Sequence, residues 1–504
     1  MPELSTDPKA PCSAGPGVVI KGGTIVDAAG QRACDIVISR GRIEHVQPGC
    51  EVPCGAKVLD ASGCIVAPGL VDLHSHLREP GGELAETVES GSRAAALGGY
   101  SAVVAMPNTD PPIDNASAAH HVLDLGAHAL VEVMVAGAIT VDRAGERLAP
   151  MAEMASMGIS LFTDDGTGVQ DGGLMRRAME YARGLGVTLA QHCEDRSLAS
   201  GGHMHEGRWS SILGIPGIPA EAEELMVARD LMLARLTGAR LHLLHLSTAG
   251  SVELVRKAKS AGIKVTAEVT PHHLCLSDEE VASYDPLFKV SPPLRPVEHI
   301  IALQAGLEDG TVDAVATDHA PHATQAKEAP FDQAPSGMLG LETALAVVLT
   351  ELWDGRVGSS PQICGEKTTD IGATRQTTGT AGSSHSPGMA GSRSIGPAGG
   401  RHRLVDLGAC LPSGIRLNLM QILTLLSWQP ASIARLGSAH PSVLRPGAVA
   451  SICVFDPFTR WVVDPDRLAS KSKNTPFAGV ELQGQVRHTL VGGEPVVIEG
   501  EAQR

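Results

Sequence analysis

Aromatic residues are scarce in this 504-residue chain: six Phe, three Tyr and four Trp make up 3% of it. A core must therefore be built mainly from Val, Leu, Ile, Ala and Met, and the 43% hydrophobic content is enough for a large one. Positive charge is also short, with 40 Lys and Arg against 56 Asp and Glu, for a formal net charge of −16. That balance argues against a nucleic-acid binder, which needs clustered Lys and Arg to neutralise phosphates. No apolar run reaches the roughly 18 residues that a membrane span needs. Residues 1–17 carry Pro, Ser, Gly and Cys, without the basic flank and apolar stretch of a secretory signal, and are expected to form a flexible tail. The ten Cys show no regular pairing, which fits reduced thiols in a cytoplasmic enzyme. Cys50 and Cys54, beside Gly and Pro, read as part of a loop. No glycine-rich nucleotide fingerprint opens the first β-α unit, which weakens a dinucleotide-binding reading.

What is present divides into two textures. From 18 to 68 the pattern is short and β-like: 24–26, 35–38, 42–46 and 57–59 are each bounded by Gly, Pro or Asp. The same texture returns at 450–455 and 485–491, with Gly492-Gly493 as a hairpin turn before 495–497. Neither set has enough strands to bury its own apolar face, so both chain ends are expected to pair into one small β-sandwich domain, over 18–68 and 442–504. Between them, over 69–441, apolar runs at 102–105, 131–136, 159–162, 187–190, 241–246, 264–267 and 312–316 alternate with amphipathic stretches such as 88–97 and 221–236. Repeated β-then-α units of this length point to an α/β fold, a TIM-like (β/α)8 barrel rather than an open sheet. The stretch 356–403 is rich in Gly, Ser, Thr and Ala, with no aromatic residue, and is expected to be a disordered surface insertion.

Residues with ligand chemistry gather at the ends of these runs. In Val71-Asp72-Leu73-His74-Ser75-His76-Leu77-Arg78-Glu79-Pro80-Gly81, the two His are two apart, so a strand directs both imidazoles to one side. Asp164 and Asp165 follow 159–162, His192 follows 187–190, His245 closes 241–245 and Asp318 ends 312–317. Leu241, Leu243 and His245 are expected to share one face, leaving His242 on the other as a packed or surface residue. Any one of these could be a structural histidine or a helix-capping aspartate. Together they place imidazoles and carboxylates at C-terminal strand ends, where barrel enzymes build their sites. Such mixed ligation suits zinc or a similar divalent ion. Six ligands exceed what one tetrahedral ion needs, which implies two metals sharing a carboxylate and a hydroxide.

The whole set resembles the binuclear amidohydrolase superfamily and, within it, the bacterial class I dihydroorotase family. The strings that carry the resemblance are the segment from Asp72 to Gly81, Met106-Pro107-Asn108-Thr109, Phe162-Thr163-Asp164-Asp165-Gly166, Gln191-His192-Cys193-Glu194-Asp195, Thr270-Pro271-His272-His273, Pro292-Pro293-Leu294-Arg295, Thr317-Asp318-His319-Ala320-Pro321-His322 and Gly340-Leu341-Glu342-Thr343. The resemblance spans 18–351 and resumes from 409 to the end. It implies that His74, His76, Asp165 and Asp318 hold one Zn2+, while His192, His245 and a bridging Asp165 hold a second. In many relatives a carboxylated lysine after Phe bridges the metals; here Phe162 is followed by Thr163, and Asp165 takes that place. This favours the dihydroorotase family over hydantoinases and allantoinases.

The implied reaction is the reversible cyclisation of carbamoyl aspartate to dihydroorotate. Asp318 would act as the catalytic acid and base beside the hydroxide. His76, Arg78, Asn108, Ser291, His322, Ser336 and Gly337 would contact the substrate, Arg78 through its planar guanidinium on the carboxylate. Competing readings are a salt bridge from Arg78 to Glu79 or Glu83, and a turn role for Asn108 beside Pro107. Ser291 departs from the family, which usually has Asn there; Ser loses the amide's paired donor and acceptor. A homo-oligomer is expected, and the resemblance admits association with aspartate transcarbamoylase. Two alternatives stay open: another cyclic amidase, and a non-catalytic scaffold for that transcarbamoylase, which would have lost metal ligands.

Overall fold

The computed structural model describes residues 17–357 and 414–503. The tail expected over 1–17 and the insertion expected over 356–403 lie outside the described residues, but for Gly17, Arg356 and Val357.

Alternating apolar residues at the two chain ends produce two packed sheets. The four-stranded one runs Arg42–Gln47, Asp35–Ser39, Val18–Lys21, Lys57–Asp60, all from the N-terminal stretch. The seven-stranded one joins both ends, in the order Glu501–Ala502, Glu494–Ile498, Glu481–Val491, Ile452–Val462, Ile65–Pro68, Thr24–Asp27, Gly30–Ala33. Its central pairing is antiparallel, with Ile452 opposite Pro68 and Phe455 opposite Ile65. Side chains two apart share a face. Ile452, Val454 and Val66 therefore pack with Ile20, Ile36 and Ile38 of the smaller sheet. Cys453, Phe455, Ile65 and Ala67 face the other way, into the large core beneath the helices. Burying each Ile stabilises the layers by about 2 kcal/mol. Strands over 18–21 and 30–33 had no sequence expectation; the second is a half-exposed edge without an apolar pattern.

The middle of the chain forms parallel ladders. Leu70–Ser75, Tyr100–Ala105 and Glu132–Val135 make one; Leu161–Thr163, Thr188–Gln191, Arg240–Leu243, Val265–Val269 and Ala314–Val315 make the other. Parallel bridges join their edges on both sides, at Gly137–Phe162 and at Ser75–His319. Leu73, Val104, Ala190, Leu244, Ala314 and Ala316 from both ladders meet in one buried cluster, closed by Ile433 and Ala434. Helices Val88–Leu97, Ala116–Gly126, Gly172–Leu185, Glu221–Thr237, Ala249–Ser260 and Val297–Glu308 separate the strands. Several of their starts are capped in sequence: Thr87 accepts from Ser90 N, Asp171 from Leu174 N and Thr248 from Ser251 N.

The chain changes sheet at Gly69, whose N–H donates to Ser451 O at 3.0 Å. A Cβ there would lie 2.2 Å from Ser101 Oγ, so only glycine permits the crossing. No helix among the described residues is long and apolar enough to cross a membrane.

Candidate active site

The ladders bring the six ligand-type residues to one buried centre. A register shift between Asp72 and Ser75, against the strand Tyr100–Ala105, lets His74 and His76 both turn inward. His74 Nε2 lies 3.4 Å from Asp165 Oδ1 and 3.4 Å from Asp318 Oδ1. His76 Nε2 lies 3.1 Å from Asp318 Oδ1 and 3.5 Å from Asp165 Oδ2. On the far side, His192 Nδ1 and His245 Nε2 sit 3.7 and 3.6 Å from Asp165 Oδ1 and only 2.9 Å from each other. Asp165 thus occupies the middle of four imidazoles. Asp164 serves the frame instead. Its carboxylate accepts from Ile139 N, Thr140 N and the Thr140 hydroxyl, fixing the neighbouring strand end.

Sequence alternation would put His245 with Leu241 and Leu243. The structure departs from that. Leu241 and Leu243 join the outer core, whereas Leu244 joins the enclosed cluster. His245 takes φ +31°, which breaks the alternation and swings its ring to the centre. Asp318 likewise has φ +45°. Each such conformation costs on the order of 1–3 kcal/mol and needs a rigid frame. Part of that frame is Asp72, whose carboxylate takes Thr317 N and Thr317 Oγ1, both at 2.7 Å, tying the first strand to the last.

Electrostatics keep the carboxylates of the centre ionised. Burial alone would raise the Asp165 carboxyl, but His74, His192 and His245 outweigh it and hold it well below the usual carboxylate range. Asp318 is depressed in the same way by His74 and His76. His74 Nδ1 is fixed by Glu268, and its buried Nε2 has no hydrogen-bond partner. Two sets of donor atoms, on His74, His76 and Asp318 and on His74, Asp165 and His245, each lie within 4.8 Å of one another. Nitrogen and carboxylate donors around an orphaned imidazole nitrogen fit a borderline divalent ion.

Sequence reasoning missed the support of this cluster. Glu268 Oε1 is 2.9 Å from His74 Nδ1, and its Oε2 is 2.9 Å from His242 Nε2. Burial opposes the charge, yet the two histidines bring the carboxyl down to about 2. The pair fixes the His74 ring with its Nε2 toward the centre. The signal was a carboxylate within an apolar strand, one residue past the end of the run at 264–267.

A cavity of about 310 Å³ opens over Asp165 and Asp318, and the substrate positions His76, Arg78, Asn108, Ser291, His322, Ser336 and Gly337 all line it. Arg78 donates from Nε to Pro321 O at 3.1 Å, and among the described residues no carboxylate pairs with it. Glu79 instead accepts from Val88 N and Glu83 from Gly81 N, which removes the salt-bridge reading. Asn108 is engaged by Nδ1 of His76 at 2.8 Å and by Asp165 at 3.4 Å, so its amide orients two centre residues. Ser291 Oγ donates to Glu194 at 3.3 Å. His322 donates from Nε2 to Ser336 O at 2.8 Å, and burial together with the Arg78 charge pushes its ring down to about 3, leaving it neutral. A Cβ on Gly337 would meet Ala320 Cβ at 2.7 Å, so glycine is needed where the two loops touch.

Comparison with known proteins gives a consistent result. The family model described as dihydro-orotase-like matches residues 63–251. The dihydroorotase of Pelotomaculum thermopropionicum is 43% identical over 483 residues, 95% of this chain and 98% of that one. That of Anaeromyxobacter dehalogenans is 41% identical over 490 residues, 96% of this chain and 99% of its own. Among solved structures, the L-hydantoinase (dihydropyrimidinase) of Arthrobacter aurescens superposes with a TM-score of 0.76 at 23% identity, covering 97% of both chains. A D-hydantoinase (dihydropyrimidinase) from Thermus sp. gives 0.72 at 21%, covering 96% of each. At such identity those two speak for the α/β fold alone.

Proposed function

The chain belongs to the dihydroorotase family, and from that premise we propose that it closes N-carbamoyl-L-aspartate to (S)-dihydroorotate and water, reversibly, on the route to pyrimidine nucleotides. The scaffold of this reading is a (β/α)8 barrel, supported by the two parallel ladders and the bridges at both their edges. His74, His76, Asp165 and Asp318 would hold one zinc ion, and His192, His245 and Asp165 a second. Bound there, divalent ions lower the pKa of water toward neutrality and polarise the ring carbonyl.

The chain's own groups do the rest. Asp318, ionised and facing the centre, accepts the proton of the attacking water and returns it to the ring nitrogen as the amide opens. Arg78 offers its guanidinium to the substrate carboxylate. Neutral His322 presents hydrogen-bonding capacity without competing charge, and the Ser336–Gly337 backbone closes the opposite wall. Asn108 contributes mainly by holding His76 and Asp165.

The observation that carries the reading is one cavity lined by both carboxylates, Asp165 and Asp318, and by an Arg78 with no carboxylate partner among the described residues. A site for uncharged hydantoins has no use for that cation. A non-catalytic scaffold would not need the six centre residues, all of which converge. The purified protein, assayed with dihydroorotate, hydantoin and allantoin, is expected to prefer dihydroorotate by about 100-fold or more in kcat/KM. Faster turnover of hydantoin would reverse the assignment in favour of the other cyclic amidases.

A further inference from the structure

The substrate wall is held from an unexpected direction. Between the turn Pro465–Arg467 and the strand Glu481–Val491, the C-terminal chain leaves its sheet and lies along the loops that follow the last strand of the ladder. This stretch is polar, Ser470-Lys471-Ser472-Lys473-Asn474, and carries no hydrophobic periodicity. It is nevertheless firmly anchored. Ala469 N and Ser470 N donate to Glu342, Lys471 N to Glu86 at 3.1 Å, and Ser472 Oγ to Ala85 O at 2.7 Å. The Ser470 hydroxyl also donates to Glu86.

At its end stands Asn474, only 3% exposed. Its Oδ1 accepts from His322 N at 3.0 Å. Its Nδ2 donates to Ala320 O at 3.0 Å and to Gly337 O at 3.2 Å. Its backbone carbonyl accepts from Leu339 N at 3.2 Å. One amide thus ties the loop that carries His322 to the loop that carries Ser336 and Gly337. No other side chain of this size offers two donors and an acceptor in that geometry: Asp cannot donate, Ser has one hydrogen and Ala none. The second loop is gripped on its far side as well, where the Lys327 ammonium donates to Pro335 O at 2.9 Å.

We infer that Asn474 is a positioning residue for substrate binding, acting through His322 and Gly337 rather than on the reacting atoms. The inference rests on the substrate reading of the cavity given above. The metal-ligand cluster is held independently, by Glu268 on His74, Asp72 on Thr317 and Asn108 on His76, and none of those bonds passes through Asn474. Loss of the amide therefore loosens the wall and leaves the chemistry intact.

The test compares Asn474→Ala, Asn474→Ser and Arg78→Ala with the parent, each as full-length, metal-loaded protein. KM for dihydroorotate is expected to rise about tenfold or more in Asn474→Ala, with kcat within about threefold and metal content unchanged. Asn474→Ser, which keeps one polar atom at the site, is expected to fall between the two and gives the reading if the Ala variant does not fold. Unchanged KM in a folded Asn474 variant, or a loss confined to kcat, overturns the inference. The Arg78 control separates the two levels. If it raises KM while the Asn474 variants do not, the positioning role alone is wrong; if it too leaves KM unmoved, the cavity was misread.

Discussion

Replacing Asp318 by Asn is expected to lower kcat for dihydroorotate by about 10³-fold or more while KM changes little. The substitution keeps the shape of the side chain and one oxygen able to face a cation, and removes the carboxylate proposed to carry the proton. Asp318 Oδ1 is 3.1 Å from His76 Nε2 and 3.4 Å from His74 Nε2, and those imidazoles outweigh burial to hold its carboxyl below the ordinary range. It is therefore ionised across the neutral pH range, and the deficit should persist throughout that range rather than vanish at one end. Metal content must be measured on the same preparation, because Asp318 also belongs to the cluster. A variant with parent-like metal and kcat within tenfold of the parent would remove Asp318 from the proton path.

The second large effect concerns recognition. Arg78→Met is expected to reduce kcat/KM for dihydroorotate by about 10³-fold, mostly through KM. Arg78 is held at φ +62° and by Pro321 O, and no described residue offers its guanidinium a carboxylate. On the proposed reading, the substrate's carboxylate is the missing partner. Dihydrouracil, the same ring without that group, provides the control: its turnover, slow in the parent, should not fall further in the variant. Equal losses on both compounds would mean that Arg78 supports the fold of the site rather than reading the charge.

Much of this site is legible in the sequence alone. His74, His76, Asp165, His192, His245 and Asp318 each lie at or just past the end of an apolar run, and the structure brings them to one centre. The pairing of the two chain ends followed from counting strands that could not bury themselves. What stayed hidden depends on contacts distant in sequence or on local strain. The positive φ of His245 broke an alternation that would have placed its ring outside, and nothing in the string of Leu and His announces it. Glu268 supports His74 from 194 residues away, with His242 on the strand before it holding the other carboxylate oxygen. Asn474 reaches His322 from 152 residues away, out of a segment with no periodicity. Sequence patterns register which face a residue occupies; they do not register which distant backbone groups it satisfies.

The most direct test measures metal per chain by elemental analysis while a chelator strips the protein and dihydroorotate turnover is followed in parallel. About two divalent ions per chain are expected, with activity falling as they leave and returning when zinc is restored. Undiminished turnover by a chain emptied of metal would contradict the paired-ion centre directly.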